Sequence, residues 1–191
     1  MVRSTGEFIL GCFIVFLLYW VATAFRVKRT AKVEWRWRVL PLAVAAIWVI
    51  LRRTGAPLVI PDAVLWPQSP ALGIVADVIT LAGLVVTLWA RTVLGGNWSG
   101  SVALKENHEL IARGPYARVR HPIYSGVLLM GIGAALWYGR TAGVVGLVLV
   151  ALGFWYKSRR EERLLSRHFP GEYAAYRART RAFVPPLRNR G

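Results

Sequence analysis

The chain has 191 residues, of which 55% are hydrophobic and only 18% are charged. A soluble domain of this size would carry about a quarter charged residues, so the composition favours an integral membrane protein. The chain is strongly basic, with 25 Lys and Arg against 9 Asp and Glu, but its basic and apolar residues occupy separate segments, which argues against a nucleic-acid-binding domain.

Five apolar runs are predicted to cross the membrane as helices in an all-α fold. The first run, Phe8 to Phe25, has 18 residues without a charge, or about 27 Å of helix at roughly 1.5 Å per residue, close to a hydrocarbon core of about 30 Å. Its cysteine, Cys12, is the only one in the chain, so there is neither a disulfide framework nor a cysteine-based metal site.

The five helices divide the chain into two predicted regions. Residues 1–90 hold three transmembrane helices, at about 8–25, 37–53 and 71–90. Residues 91–191 form the catalytic region, with a cytoplasmic loop at 91–121, a helical hairpin at 122–156 and a cytoplasmic tail at 157–191. Glycines in the hairpin, such as Gly126, Gly131, Gly133, Gly143, Gly146 and Gly153, are expected to let its helices approach closely.

The distribution of basic residues predicts the orientation in the membrane. On this division, 21 of the 25 positive charges fall in the segment after the first helix, the loop 91–121 and the tail. The positive-inside rule then places the amino terminus outside and the carboxyl tail in the cytoplasm. Ala22-Thr23-Ala24 is similar to a signal-peptidase site, but the basic cluster that follows argues against cleavage and export.

Asp77 is the only ionised side chain within the apolar runs themselves, at 8–25, 39–51, 71–90, 122–138 and 141–156. An acid inside a membrane is a functional candidate by default. Because Asp77 lies about two turns from the outer end of its helix, snorkelling or pairing with Arg52 or Arg53 is the simpler interpretation.

A group of candidate functional residues opens the fourth helix. Pro122 suits the first turn of a helix, which places Arg120 and His121 at a helix amino terminus that favours an anionic group. His121 and Tyr124 are three residues apart and share one face. A lone histidine or arginine at a membrane interface is commonly filler, but the combination Arg-His-Pro-x-Tyr-x-Gly after Gly114-Pro115-Tyr116 is harder to explain in that way.

The second group lies where the fifth helix continues past the membrane surface. Lys157 and Glu161 recur at helical spacing with Val150 and Phe154, so they extend the face that packs inside the bundle. Glu162 points about 100° away from Glu161. The two acids also have the spacing to pair with Lys157, Arg159 and Arg160 on the same helix, which is the structural alternative to a catalytic role.

These motifs together resemble the isoprenylcysteine carboxyl methyltransferases, integral membrane enzymes that use S-adenosylmethionine, and related bacterial phospholipid-methyltransferase-like proteins. The resemblance is carried by Gly114-Pro115-Tyr116, the segment Val119 to Gly126, the Glu161-Glu162 pair and the Phe169, Tyr173 and Tyr176 spacing. It covers about Asn97 to Pro186 and is specific for the superfamily, not for a substrate.

The resemblance implies a cofactor pocket formed by the cytoplasmic loop and the C-terminal helices. Cofactor contacts are expected from Ser101, His108, Glu109, Leu110, Ile111, Tyr116, Arg120, His121, Pro122, Ile123, Tyr124 and Glu162. Lys157 and Glu161 match the tail residues that face substrate and cofactor, and Arg159 or Arg160 is an additional candidate for steering an acidic substrate. The family often has arginine where this chain has Lys157, and lysine does not give the same bidentate contact with a carboxylate.

The implied activity is transfer of a methyl group to a lipophilic acceptor. Acceptors left open are a prenylated cysteine, another isoprenoid or fatty carboxylate, and a lipid amine; nucleic acid is not expected, and the sequence is silent on oligomeric state. A preference for Arg over Lys, 21 to 4, indicates a high-GC bacterial gene and hence the bacterial inner membrane. Two alternatives remain: an NADPH-dependent membrane sterol-type reductase, and a basic membrane protein without catalytic activity that binds anionic lipid.

Overall fold

The computed structural model describes residues 2–25, 27, 30–33, 63–99, 103–105 and 109–186. Five helices lie in this part of the chain: α1 (Val2–Ala24), α2 (Pro70–Leu94), α3 (Pro122–Tyr138), α4 (Thr141–His168) and α5 (Pro170–Arg179). Short 3-10 turns occupy Gly95–Asn97 and Gly114–Ala117. The predicted helix at 37–53 lies outside the described residues.

Three of these helices have the length and apolar character needed to cross a membrane, over Ser4–Ala24, Pro70–Asn97 and Thr141–His168, and the apolar helix Pro122–Tyr138 is shorter. In α4 the apolar part ends at Tyr156, and the polar residues 157–168 extend the helix beyond the membrane-spanning part. Large apolar side chains such as Leu18, Val78 and Leu152 are exposed on the helix surfaces, as expected where lipid replaces water. The chain is therefore a mostly helical integral membrane protein.

Two short strands depart from the all-α prediction. β1 (Thr30–Val33) pairs with β2 (Ala103–Lys105) in an antiparallel ribbon. The ribbon joins the segment after α1 to the segment after α2, two polar segments that the charge pattern places on the same side of the membrane. Strands of three and four residues separated by about seventy positions leave little periodic pattern in the sequence.

The sequence predicts close packing within the hairpin of α3 and α4. In the structure, α2 and α3 also pack closely against each other. A Cβ added to Gly83 would lie 2.5 Å from the carbonyl oxygen of Gly126 and 2.6 Å from the amide nitrogen of Met130. Gly133 meets the side chain of Thr80 in the same way. Small residues thus bring these two backbones together, as is typical of membrane helix interfaces.

Hydrogen bonds from the segment before α2 hold the turn between α3 and α4 in place. Gly139 has a positive φ of 65° and ends α3, a conformation that favours glycine. The amide of Leu65 donates to the carbonyl of Gly139 at 2.8 Å, and the indole of Trp66 donates to the carbonyl of Leu136 at 2.8 Å. The hairpin turn and the start of α2 therefore lie at the same end of the bundle.

Asp77 lies within α2 with its Oδ1 atom buried and without a hydrogen-bond partner among the described residues. Its proposed partners, Arg52 and Arg53, lie outside the described part of the chain. Pairing of Asp77 with either arginine remains a prediction.

Candidate active site at the polar end of the helices

The start of α3 is tied to the tail that follows α5. The amides of Arg120 and His121 donate to the carbonyls of Arg181 and Ala182 at 2.8 and 2.9 Å. The hydroxyl of Ser125 donates to the carbonyl of Phe183 at 2.6 Å. These bonds fix the tail beside the first turn of α3, so the motif that opens α3 is covered on one side by chain sixty residues away.

Glu162 is the ionic centre of this region. Its Oε1 atom accepts a 2.9 Å bond from Nε of Arg120 and lies 3.2 Å from Nε2 of His121, and all three side chains are at least nine-tenths buried. Burial alone would raise the pKa of Glu162, but the bonds from His121 and Arg120 outweigh it and lower the pKa to about 2. Glu162 is therefore a carboxylate at neutral pH that holds the start of α3 against α4.

Glu161, the neighbouring acid, faces a different set of side chains. The hydroxyl of Tyr124 donates to Oε1 of Glu161 at 2.7 Å, and Nζ of Lys157 lies 3.9 Å from the same oxygen. The ring of Tyr124 stacks with the ring of Phe154, at 4.5 Å between centroids, and with the ring of His121, at 5.4 Å. Tyr124 and Glu161 are thus held in one orientation by a stack of rings and a charge-assisted hydrogen bond.

A cluster of buried tyrosines packs the loop before α3 against α5. Tyr116, Tyr173 and Tyr176 are all buried, and the hydroxyl of Tyr176 donates to the backbone carbonyl of Tyr116 at 2.8 Å. Burial raises the pKa of Tyr176 to about 12, so its hydroxyl keeps its proton and remains a donor at neutral pH. Tyr176 therefore holds the loop against the short helix α5.

These contacts surround a cleft with a cavity volume of about 130 Å³. Its walls come from the end of α2, the loop before α3, the start of α3 and the polar part of α4. They comprise Leu94, Asn97, Trp98, Ser99, Glu109, Leu110, Ile111, Tyr116, Arg120, His121, Ile123, Tyr124, Glu161, Leu164, Leu165 and Tyr176. The lining combines aromatic and apolar faces with two carboxylates.

The structure brings most of the predicted site residues to this cleft, namely Glu109, Leu110, Ile111, Tyr116, Arg120, His121, Ile123, Tyr124 and Glu161. Pro122 is buried as the first residue of α3. Lys157 contacts the cleft through Tyr124, whose ring centroid lies 5.4 Å from Nζ. Ser101 and His108 lie outside the described residues.

Besides Pro122 and Lys157, three further predicted residues do not line the cleft. Glu162 lies behind its wall, bound to Arg120 and His121. The guanidinium of Arg159 lies 5.6 Å from the ring of Trp155, and Arg160 donates to the hydroxyl of Tyr156 at 3.0 Å. Neither arginine therefore contributes to the walls of this cleft.

The end of α2 contributes a wall of the cleft that no motif in the sequence indicates. Arg91 explains its position: this buried side chain donates to the carbonyls of Gly95, at 2.9 Å, and Thr23, at 2.8 Å. Its guanidinium also lies 4.7 Å from the ring of Trp98 and 5.7 Å from that of Trp20. Arg91 thereby ties the end of α1 to the turn that carries Trp98 into the cleft.

The apolar helices define an integral membrane protein, and the polar, aromatic-walled cleft at one end of them is its candidate small-molecule site. The Phospholipid methyltransferase family model matches residues 72–172, more than half of the chain and most of the cleft. The chain belongs to this family. The family assignment made from the sequence motifs is confirmed.

Two relatives illustrate the breadth of the similarity. The chain is 35% identical over 124 residues to the nickel-cobalt-cadmium resistance protein NccN of Alcaligenes xylosoxydans xylosoxydans, covering 64% of this chain and 53% of that protein. It is 27% identical over 130 residues to a probable protein-S-isoprenylcysteine O-methyltransferase of Oryza sativa subsp. indica, covering 65% and 68%. The chain thus spans about half the length of NccN.

A solved structure shares the fold. The eukaryotic intramembrane Ras methyltransferase, isoprenylcysteine carboxyl methyltransferase, superposes with a TM-score of 0.56 at 20% sequence identity, covering 78% of this chain and 53% of that chain. At this identity the likeness shows a common arrangement of helices.

Proposed function

We propose that the protein is a membrane-embedded methyltransferase that moves a methyl group from S-adenosylmethionine to a lipophilic acceptor. The observation that carries the proposal is the Glu161 carboxylate, fixed by Tyr124 and next to Lys157, in an aromatic-walled cleft. Membership of the phospholipid methyltransferase family and the shared fold support the same conclusion.

The cleft residues have the chemistry to hold this cofactor. S-adenosylmethionine carries an ammonium group and a sulfonium, and the carboxylates of Glu109 and Glu161 complement such positive charge. Aromatic faces such as Trp98 and Tyr124 suit both a cation and a purine ring. Leu164 and Leu165 supply an apolar surface. Ser101 and His108 remain proposed additional contacts.

The cofactor supplies an activated methyl group, so the residues of the chain bind, orient and exclude water. Arg120 and His121 are held by Glu162, which keeps the first turn of α3 fixed beside the cleft. Tyr124 holds Glu161, and the ring stack with Phe154 limits access of water to this wall.

Lys157 is the proposed steering residue for an acidic acceptor. Its ammonium lies 3.9 Å from Glu161 and over the ring of Tyr124, at the edge of the cleft. A carboxylate acceptor is ionised at neutral pH and needs no general base, only alignment and a cation nearby. We favour a carboxylate on a prenylated cysteine or on another isoprenoid or lipid, with Arg159 and Arg160 as outer steering charges.

The acceptor's apolar tail would reach the cleft from the bilayer. The apolar part of α4 has exposed side chains such as Leu149, Leu152 and Trp155, and its polar part carries Glu161. A lipid lying along α4 would therefore place its polar end near the cleft while the cofactor enters from the water. The proposed topology has five spans in the bacterial inner membrane, with the amino terminus outside and the carboxyl tail in the cytoplasm.

Calorimetric titration of the full chain in detergent with S-adenosylmethionine tests cofactor binding. We expect saturable heat for the wild type and weaker binding for His121→Ala and Glu161→Gln. Glu172→Gln is the matched control, because this acid lies in the first turn of α5 and outside the cleft. Unchanged affinity in both site variants, or binding of NADPH in place of S-adenosylmethionine, would overturn the proposal.

A further inference from the structure

A second cleft lies on the side of Glu162 that faces away from the first. It has a cavity volume of about 320 Å³ and is lined by Arg159, Glu162, Arg163, Ser166, Arg167 and Arg177. Arginine contributes four of these six residues. Arg159 and Glu162 also have roles in the proposed methyl transfer, but Arg163, Ser166, Arg167 and Arg177 have none.

The arginines converge because of helix geometry. Arg159, Arg163 and Arg167 follow one another at intervals of four residues and so form a row on one face of α4. Arg177 joins them from the last turn of α5. Like charges at this spacing repel one another, so an anion bound among them would relieve an unfavourable arrangement.

The single carboxylate in this cleft does not neutralise the row. Oε1 of Glu162 is bound to Arg120 and His121, which lie on the side of the first cleft, and Oε2 is 4.0 Å from Nε of Arg177. Within the described part of the chain, Arg163 and Arg167 have no carboxylate partner. The second cleft therefore carries a net positive charge that the protein leaves uncompensated.

The position of the row relates it to the membrane. Arg159 follows Tyr156, the last residue of the apolar part of α4, by three residues, or about 4.5 Å along the helix axis. Arg163 and Arg167 lie one and two turns farther out. The cleft thus begins at the depth of lipid headgroups and continues into the water.

We propose that this second cleft binds a phosphate group. Guanidinium donors match phosphate oxygens in a bidentate manner and are weakly hydrated, so several of them around one cleft favour phosphate over chloride. The phosphate belongs either to an anionic lipid headgroup at the membrane surface or to a free phosphate in the cytoplasm. The proposal concerns binding alone and does not depend on the proposed methyl transfer.

The test uses the full chain in detergent, in two arms. In the first arm, phosphatidic acid and phosphatidylcholine are added in mixed micelles, and bound lipid is counted by native mass spectrometry. In the second arm, thermal unfolding is followed by tryptophan fluorescence in sodium phosphate and in sodium chloride of equal ionic strength, because a ligand of the folded state raises the unfolding temperature.

The variant is the double substitution Arg163→Ala with Arg167→Ala. Its matched control is Arg113→Ala with Arg118→Ala, which removes the same charge from exposed residues outside both clefts. We expect the variant to bind the phosphate probe about tenfold more weakly, since two charge-assisted contacts are lost, and the control to bind like the wild type.

Each outcome decides the proposal. Loss of phosphatidic acid binding alone assigns the cleft to a lipid headgroup, and loss of stabilisation by inorganic phosphate assigns it to a free phosphate. Equal losses of binding in the variant and its control would show that the effect depends only on net charge, and would overturn the proposal. Unchanged behaviour of the variant in both arms would overturn it as well.

Discussion

Arg120 and Glu162 are joined by a 2.9 Å bond from Nε to Oε1, with their side chains about nine-tenths buried. The bond connects the residue before His121, at the start of α3, with the polar part of α4, 42 positions later. Because Arg120 also donates to the carbonyl of Thr180, one guanidinium holds α3, α4 and the tail together. The cleft depends on this junction, since its walls come from these same segments.

Replacing Glu162 by glutamine is expected to destabilise the protein. The change leaves the buried guanidinium of Arg120 without its counter-charge, which costs about 3 kcal/mol for a buried pair that loses one partner. Thermal unfolding in detergent measures the effect as a lower unfolding temperature. Glu172→Gln serves as the control, and equal unfolding temperatures for the two variants would contradict the role of Glu162.

The same residue predicts a dependence of stability on pH. The pKa of Glu162 is lowered from 4.5 to about 2 in the folded protein. A lowered pKa stabilises the fold fully above the unfolded value, and the contribution is lost as the pH falls from 4.5 towards 2. The difference in unfolding temperature between wild type and Glu162→Gln should therefore shrink below about pH 4.5. A difference that stays constant from pH 7 to pH 3 would contradict this.

Tyr124→Phe tests the orientation of Glu161. The change removes only the hydroxyl that donates to Glu161 at 2.7 Å and keeps the ring stack. We expect affinity for S-adenosylmethionine to fall about tenfold, the equivalent of one hydrogen bond to a charged group, with little change in stability. Tyr138→Phe is the control, since Tyr138 is exposed at the other end of α3. Calorimetry measures the affinity of both variants for S-adenosylmethionine, and equal affinities would rule out a role for the Tyr124 hydroxyl.

The glycine contact between α2 and α3 predicts opposite results for two similar substitutions. Gly83→Ala places a methyl group against backbone atoms of Gly126 and Met130, so the helices must separate at a cost of roughly 1–3 kcal/mol. Gly146→Ala in α4 meets nothing within 4 Å and should be neutral or stabilising by up to about 1 kcal/mol. Unfolding temperatures in detergent compare the two. A Gly83→Ala protein as stable as Gly146→Ala would show that the contact is not tight.

The sequence was most informative where a feature is local. The length of the apolar runs predicts helices, and the Pro122 position predicts the start of α3. The motif around His121 was sufficient to assign the family, because several specific residues occur together at fixed spacing. Helical spacing also places Lys157 on the same face as Glu161, and Nζ of Lys157 lies 3.9 Å from Oε1 of Glu161.

Contacts between residues that are far apart in the chain could not be predicted from the sequence alone. Helical spacing places Glu161 and Glu162 about 100° apart around α4. Only the packing of α3 and the tail against α4 determines that Glu162 is the buried one of the two. Arg91 opens the loop 91–121, whose positive charges predict the orientation, yet its side chain is buried against Trp98 and the end of α1. Equally, only the fold shows that Gly126 faces α2 and not α4.

Methyl transfer itself can be measured with a single labelling assay. Purified protein is incubated with methyl-labelled S-adenosylmethionine and a farnesylated cysteine with a free carboxylate, or with total lipid extract, and label in the lipid phase is counted. We expect base-labile label in the lipid phase with the wild type and little with Glu161→Gln. Absence of label from every lipid acceptor, with wild-type protein that binds the cofactor, would contradict methyl transfer.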